Sequence, residues 1–385
     1  MPRRSSMVAY LVVIAFVALV VVVLPATGAL RVPSLPVATG NTSEAQIVEV
    51  IEDRAEPGAG PSARHQRLRL RVGGEEEVVE HTFVEGSARG YAFEEGDRVL
   101  VTEAPEGAPV RYQIVDRVRR APVWALSLAF ALLVVVVGGR QGAFSLAALA
   151  ISFLVIVRFI VPGIYSGWDP VLTAVAGSLV IMASALVIGH GPSAKTWIAL
   201  GGTAASLALT AVLAGVAVSV TRLSGYADEG VGTLEQLTGG IDAGGLLLGG
   251  IIVGALGVLD DVTTTQASTV LELRRANPAL GTAQLFARAM NVGRDHIAAT
   301  TNTLLLAYAG ASLPLLMILA GQSEPLGILV SYEVLTTEIV RTLVGSMGIV
   351  AAVPITTVLA AALLGSGAVG TPPIEDGRAR GEFPV

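Results

Sequence analysis

Eight mainly apolar stretches, each close to the roughly 20 residues a helix needs to cross a bilayer core, constrain this chain more than anything else in it. They run from 7 to 24, 122 to 138, 143 to 162, 170 to 189, 195 to 219, 243 to 259, 297 to 320 and 343 to 365. A mean hydropathy of +0.68 and a charged fraction of 15% agree, because soluble domains carry about 25% charged residues. The expected fold is a mainly α-helical polytopic membrane protein of about eight transmembrane helices, with a small all-β extracytoplasmic domain after the first helix. Residues 1–30 form an N-terminal transmembrane anchor, 31–120 the β-domain, 121–366 a seven-helix membrane domain and 367–385 a cytoplasmic, disordered tail. The first stretch also has the outline of a signal peptide, with small residues from Ala26 to Ala29. Its apolar run exceeds the usual h-region of about 7 to 15 residues, which favours an uncleaved anchor.

The positive-inside rule orients the set. With Arg3 and Arg4 cytoplasmic, alternation also places Arg140, Lys195, Arg274, Arg275, Arg288, Arg294, Arg378 and Arg380 inside, and both termini are cytoplasmic. Arg117, Arg119 and Arg120 oppose this count from the outer side. Arg158 stands alone in the third stretch; where it faces the bundle, Asp169 or another acidic group above it is the expected partner. Between the first two stretches, Leu68, Leu70 and Val72 alternate with Arg67, Arg69 and Arg71 up to Gly73-Gly74. Period-2 alternation into a two-glycine turn reads as a hairpin with one wet face. Further strands are expected at Ala45 to Ile51, Val99 to Val101 and Val110 to Val115 in a small closed or sandwiched domain.

The chemistry-bearing residues gather between Gly249 and Leu319. Gly245/Gly249 and Gly250/Gly254 are two GxxxG pairs, which let helix backbones approach closely. Beyond them Asp261, Thr265 and Ser268 are spaced i, i+4 and i+7, one helical face. A carboxylate flanked by hydroxyls binds a cation or a polar solute, and ionisable groups in such segments are costly unless used; Asp260 alternatively marks only a helix end. After a break at Asn277-Pro278, Thr282 to Met290 reads as a short amphipathic helix interrupted at Asn291 and Gly293. Asp295 and Asn302 then share a face of the next span, and Tyr308 and Gly310 precede a kink at Pro314. Asp261, Thr265, Ser268, Asp295, Asn302 and Tyr308 are the expected pathway residues, and Glu338 with Arg341, three apart on a helix, form a candidate structural ion pair.

The absence of cysteine excludes disulfides and thiolate metal sites, and His65, His81, His190 and His296 lack close ligand spacing. No metal and no cofactor is expected. The 24 arginines and the single lysine, counted from a Lys+Arg total of 25, are scattered. The expected partner is therefore the lipid bilayer and not nucleic acid, together with a candidate protein partner for the β-domain.

The runs Gly254 to Val262, Asn291-Val292-Gly293-Arg294-Asp295, Thr301 to Leu304, Ala307 to Gly310 and Ser312-Leu313-Pro314 resemble the YibE/YibF-like family of bacterial multispan membrane proteins. Glu338-Ile339-Val340-Arg341 before Gly345 to Gly348, and Gly96-Asp97, extend the resemblance over roughly 45 to 365. The family usually carries Met-Asp where this chain has Leu259-Asp260-Asp261, so that Asp261 takes the aspartate's place. The resemblance implies a bacterial plasma-membrane protein and brings no settled biochemical activity. Three functions compete. The first is a permease or channel-like transporter for a small solute or ion, with Asp261, Asp295 and Asn302 lining its path. The second is a non-catalytic assembly protein whose β-domain binds a partner. The third, a membrane-embedded enzyme, ranks lowest because no nucleophile elbow or HExxH motif is present.

Overall fold

The computed structural model describes residues 4–27, 30, 42–55, 63–84, 92–104, 110–238 and 240–365. The tail 367–385 lies outside them. The chain divides into two compact units, Ser34–Val137, and Met1–Pro33 together with Gly138–Val385.

In the first unit, β1 (Ser43–Ala55), β2 (Ala63–Val72), β3 (Glu75–Val84), β4 (Arg98–Glu103) and β5 (Tyr112–Arg117) form one antiparallel sheet in the order β3-β2-β1-β4-β5. Leu68, Leu70 and Val72 point into a core with Ile47, Val79, Phe93, Val99 and Val101, while the alternating arginines stay outside. Gly73 and Gly74 close the β2–β3 hairpin with φ of 58° and 102°, the positive angles that a two-residue turn of this hand requires. Arg111 of the β5 end reaches Glu75 and Glu77 of β3 at 3.2 and 3.5 Å, so the sheet curls until its edges meet. Gln66, 1% exposed, bridges the core: its side-chain oxygen accepts from Phe93 N at 2.9 Å and its amide donates to Phe93 O at 3.2 Å and Asp53 at 3.1 Å. The basic cluster that opposed the charge count is neutralised within this unit: Arg117 pairs with Asp97 at 3.0 Å, Arg119 with Asp116 at 2.7 Å, and Arg120 with Glu44.

The second unit is helical. Helix α1 (Arg4–Ala18) continues through a π-helical turn, Leu19–Val23, to Ala26. Helix α2 (Arg120–Val155) runs on to Tyr165, and the expected stretches at 122–138 and 143–162 lie on either side of Gly139, whose φ 56° and ψ −137° break the helix. Then follow α3 (Pro170–His190), α4 (Ala194–Thr221), α5 (Glu229–Thr238), α6 (Ala243–Ala276), α7 (Thr282–Ala311), α8 (Leu313–Ala320), α9 (Leu326–Leu329) and α10 (Glu333–Gly365). Among the described residues five helices are long and apolar enough to cross a membrane, and six when the bent pair α7–α8 counts as one; the apolar helix Leu11–Ala26 is shorter.

Helices α4, α6 and α10 pack on one another, α3 on α6, and α7 on α10 and α6. Small residues set this spacing. A methyl group added at Gly202 or Gly348 would lie 2.3 or 2.2 Å from the hydroxyls of Thr356 and Thr210, and the Thr203 and Thr263 hydroxyls bond at 2.8 Å between α4 and α6. With lipid as apolar as leucine, such packing and hydrogen bonding replace the hydrophobic drive between helices.

Two local expectations are corrected. Asn291 and Gly293 do not interrupt a helix: α7 runs unbroken from Thr282 to Ala311, because Gly293 is buried at a close approach, where an added Cβ would meet Val353 at 2.5 Å and Gln266 at 3.2 Å. The break falls instead after Ala311, where the chain bends by 68° into α8 with Pro314 in its first turn. Asp169 is not paired with Arg158; its carboxylate caps α3 by accepting from Leu172 N at 2.8 Å, an orphan donor that a helix start must satisfy. Arg158 is exposed and forms no ion pair among the described residues.

Candidate functional site

Helix α6 has two faces. Ile252, Ala255, Leu259, Val262 and Gln266 are almost fully buried in the bundle. At 3.6 residues per turn, the opposite face carries Gly250, Gly254, Gly257, Asp261, Thr264 and Ser268. Asp242 caps the helix by accepting from Gly245 N at 2.8 Å, and the helix ends at Ala276 before Asn277-Pro278. Its polar half thus continues unbroken from its apolar half.

Over that polar half lies a cavity of about 840 Å³, open on one side. Asp260, Asp261, Thr265, Ser268 and Glu272 line it from α6, joined by His190 at the end of α3 and Lys195 at the start of α4. Asp260 accepts from the Thr264 hydroxyl at 3.4 Å, whereas Ser268 and Thr269 turn their hydroxyls to the helix carbonyls at 2.9 and 3.0 Å. Glu272 is ion-paired with Arg275 at 2.7 Å, so two further carboxylates, Asp260 and Asp261, share the cavity with the Lys195 ammonium.

Asp261, Thr265 and Ser268 are thereby brought together, but Asp295 and Asn302 are not with them. Both sit on the exposed face of α7, and neither lines this cavity. The residue of α7 that meets Asp261 is His296, at 3.7 Å, and its Nε2 is buried with no hydrogen-bond partner. One position along a helix is a 100° rotation, which is why the neighbouring residue makes the contact. His190, Lys195 and Glu272 were missed as site residues. Glu272 was legible, since 261, 265, 268 and 272 continue the same i, i+4, i+7, i+11 stripe; His190 and Lys195 reach the site only because α3 and α4 turn at its rim.

Tyr308 belongs to a second level. Its hydroxyl stands over Gly254, where an added Cβ would be 2.8 Å away. Beside it, Glu338 and Arg341 pair at 2.6 Å with side chains 23% and 29% exposed, and Ser312 at the α7–α8 bend donates to Glu338 at 3.2 Å. The two GxxxG pairs divide in the same way. Gly245 and Gly249 pack against Pro170 and Ala174 at the start of α3, while nothing lies within 4 Å of a Cβ at Gly250.

The YibE/F-like protein family model matches residues 126–366, most of the helical region that follows the sheet and every residue of this site. The match does not extend to Gly96-Asp97 or the rest of the sheet. No curated protein and no solved structure matches the chain. With well over half of its length matched, this apolar, mostly helical chain belongs to the YibE/F-like protein family.

Proposed function

We propose that the protein is a permease or channel-like transporter for a small solute or ion, with the α6 cavity as its inner vestibule. The observation that carries this is the cavity itself: Asp260 and Asp261 beside Lys195, with Glu272 paired to Arg275, at the polar end of an otherwise apolar helix. Intramembrane carboxylates that face an open cavity are the usual mark of an ion or proton route, and the surplus of acidic groups favours a cation.

The proposal includes the setting. The protein lies in a bacterial plasma membrane with both termini cytoplasmic and the β-sheet unit outside. It has eight spans: α1, α2 counted on each side of Gly139, α3, α4, α6, α7 with α8, and α10.

Purified protein in liposomes, assayed with dyes for Na⁺, K⁺ and H⁺, tests the reading. Flux of one of these cations is expected, and Asp260→Asn with Asp261→Asn together should reduce it about tenfold or more. A correctly folded double variant with undiminished flux, or no flux of any of the three ions in the unmodified protein, would refute the cation reading.

A further inference from the structure

The outward stripe of α6 does not end at the vestibule. Five residues nearer its start, Leu246, Leu247, Gly249, Gly250 and Val253, line a second cavity of about 330 Å³, together with Asp228 and with Thr337 and Arg341 of α10. Thr337 is 5% exposed and its hydroxyl has no hydrogen-bond partner. Arg341 commits one N–H to Glu338, which leaves further guanidinium donors.

At 100° per residue, Gly250, Gly254, Gly257, Asp261, Thr264 and Ser268 fall within about 80° of one another. The lining of the second cavity stops at Val253 and that of the vestibule starts at Gly257, a rise of about 6 Å. A Cβ at Gly250 or Gly257 would have nothing within 4 Å, whereas one at Gly254, itself exposed, would lie 2.8 Å from the hydroxyl of Tyr308. We infer that the two cavities are the ends of one groove along α6 and that Tyr308, held over Gly254, is the constriction between them. The inference rests on the vestibule of the proposed transport reading and deepens it by naming the residue that closes the path. Tyr308 lies one turn before the bend at Ser312, whose N–H bonds to the Tyr308 carbonyl at 2.9 Å. A change in that bend would swing the hydroxyl away from Gly254.

The chain contains no cysteine, so single thiols report access without a background. Gly257→Cys and Gly250→Cys, both at positions with room for a side chain, are treated with a cationic methanethiosulfonate from each side of sealed vesicles. From the side on which Gly257→Cys reacts, Gly250→Cys should react about tenfold more slowly, since thiol reactivity follows exposure. Adding Tyr308→Ala should bring the two rates together. Should Tyr308→Ala fail to fold, Tyr308→Ser gives the same comparison. The inference is overturned if Gly250→Cys reacts as fast as Gly257→Cys with Tyr308 in place, or stays slow once Tyr308 is truncated. Unreactive Gly257→Cys on both sides removes the aqueous vestibule and the inference with it. The expected pattern in a protein that passes no ion supports the constriction and removes the transport reading.

Discussion

Two glycine-to-alanine changes in the helical unit should move stability in opposite directions. At Gly293 in α7 the new methyl would lie 2.5 Å from Val353 Cγ1 and 3.2 Å from both amide atoms of Gln266. Val353 is 0% exposed and Gln266 1%, and a β-branched side chain on a helix has almost no alternative rotamer. Forcing a methyl into such a site costs about 1 to 3 kcal/mol. Displacing Gln266 from the Ala289 carbonyl, which it holds at 3.0 Å, adds about 1 kcal/mol. Better helix propensity returns about 1 kcal/mol. The net expectation for Gly293→Ala is a loss of about 1 to 3 kcal/mol. Gly215 in α4 has nothing within 4 Å of an added Cβ, so Gly215→Ala should gain about 0.5 to 1 kcal/mol from the same propensity difference. Thermal unfolding in one detergent at one scan rate, followed by tryptophan fluorescence, should place the Gly293→Ala midpoint roughly 3 to 10 °C below the unmodified protein and the Gly215→Ala midpoint at or above it. Gly293→Ala melting as high as Gly215→Ala would show that α6, α7 and α10 do not meet as closely as described.

In the sheet unit, Gln66→Leu strands the buried N–H and carbonyl of Phe93 and should destabilise the sheet by about 2 to 4 kcal/mol, read as loss of amide protection confined to β1, β2 and β4; unchanged protection would refute the bridging role. Glu338→Ala leaves Arg341 half-buried without its partner, for an expected loss of about 1 to 3 kcal/mol, and Glu338→Ala with Arg341→Met should recover most of it because no lone charge remains. A double variant no more stable than Glu338→Ala in thermal unfolding would contradict that account. The Asp261–His296 contact at 3.7 Å involves a carboxylate 70% exposed, so His296→Ala should change stability by less than about 1 kcal/mol; a larger fall in the unfolding midpoint would mean that the pair is structural.

Much of the scaffold was legible because its signals are local. Apolar stretches of bilayer length, Asn277-Pro278 closing α6, and the Leu/Arg alternation into Gly73-Gly74 each depend on a few neighbouring residues; the last two read the same in the folded chain, while of the eight stretches five helices, six with the bent pair, are long and apolar enough to cross a membrane among the described residues. Gly293 did not, since a glycine inside a helix costs about 1 kcal/mol and looks like a break until the wall of Val353 opposite it is known. Asp295 and His296 show the same limit at the site. Adjacent positions differ by 100° around α7, and which one faces Asp261 depends on how α7 is rotated against α6 and α10.

The sequence by itself determined that this chain is a helical membrane-type protein with a small β-sheet unit, and it placed Asp261, Thr265 and Ser268 on one face of a helix. Hydropathy and helical periodicity are properties of single segments, so they survive without a partner. The tertiary structure alone decided that Asp260, Glu272, Lys195 and His190 share a cavity with them, that Asp295 and Asn302 do not, and that a side chain would have room at Gly250 and Gly257 but would meet the Tyr308 hydroxyl at Gly254. Those facts depend on the packing of α3, α4, α7 and α10 around α6, and between membrane helices that packing is set by close steric fit rather than by a hydrophobic pattern that any one segment displays.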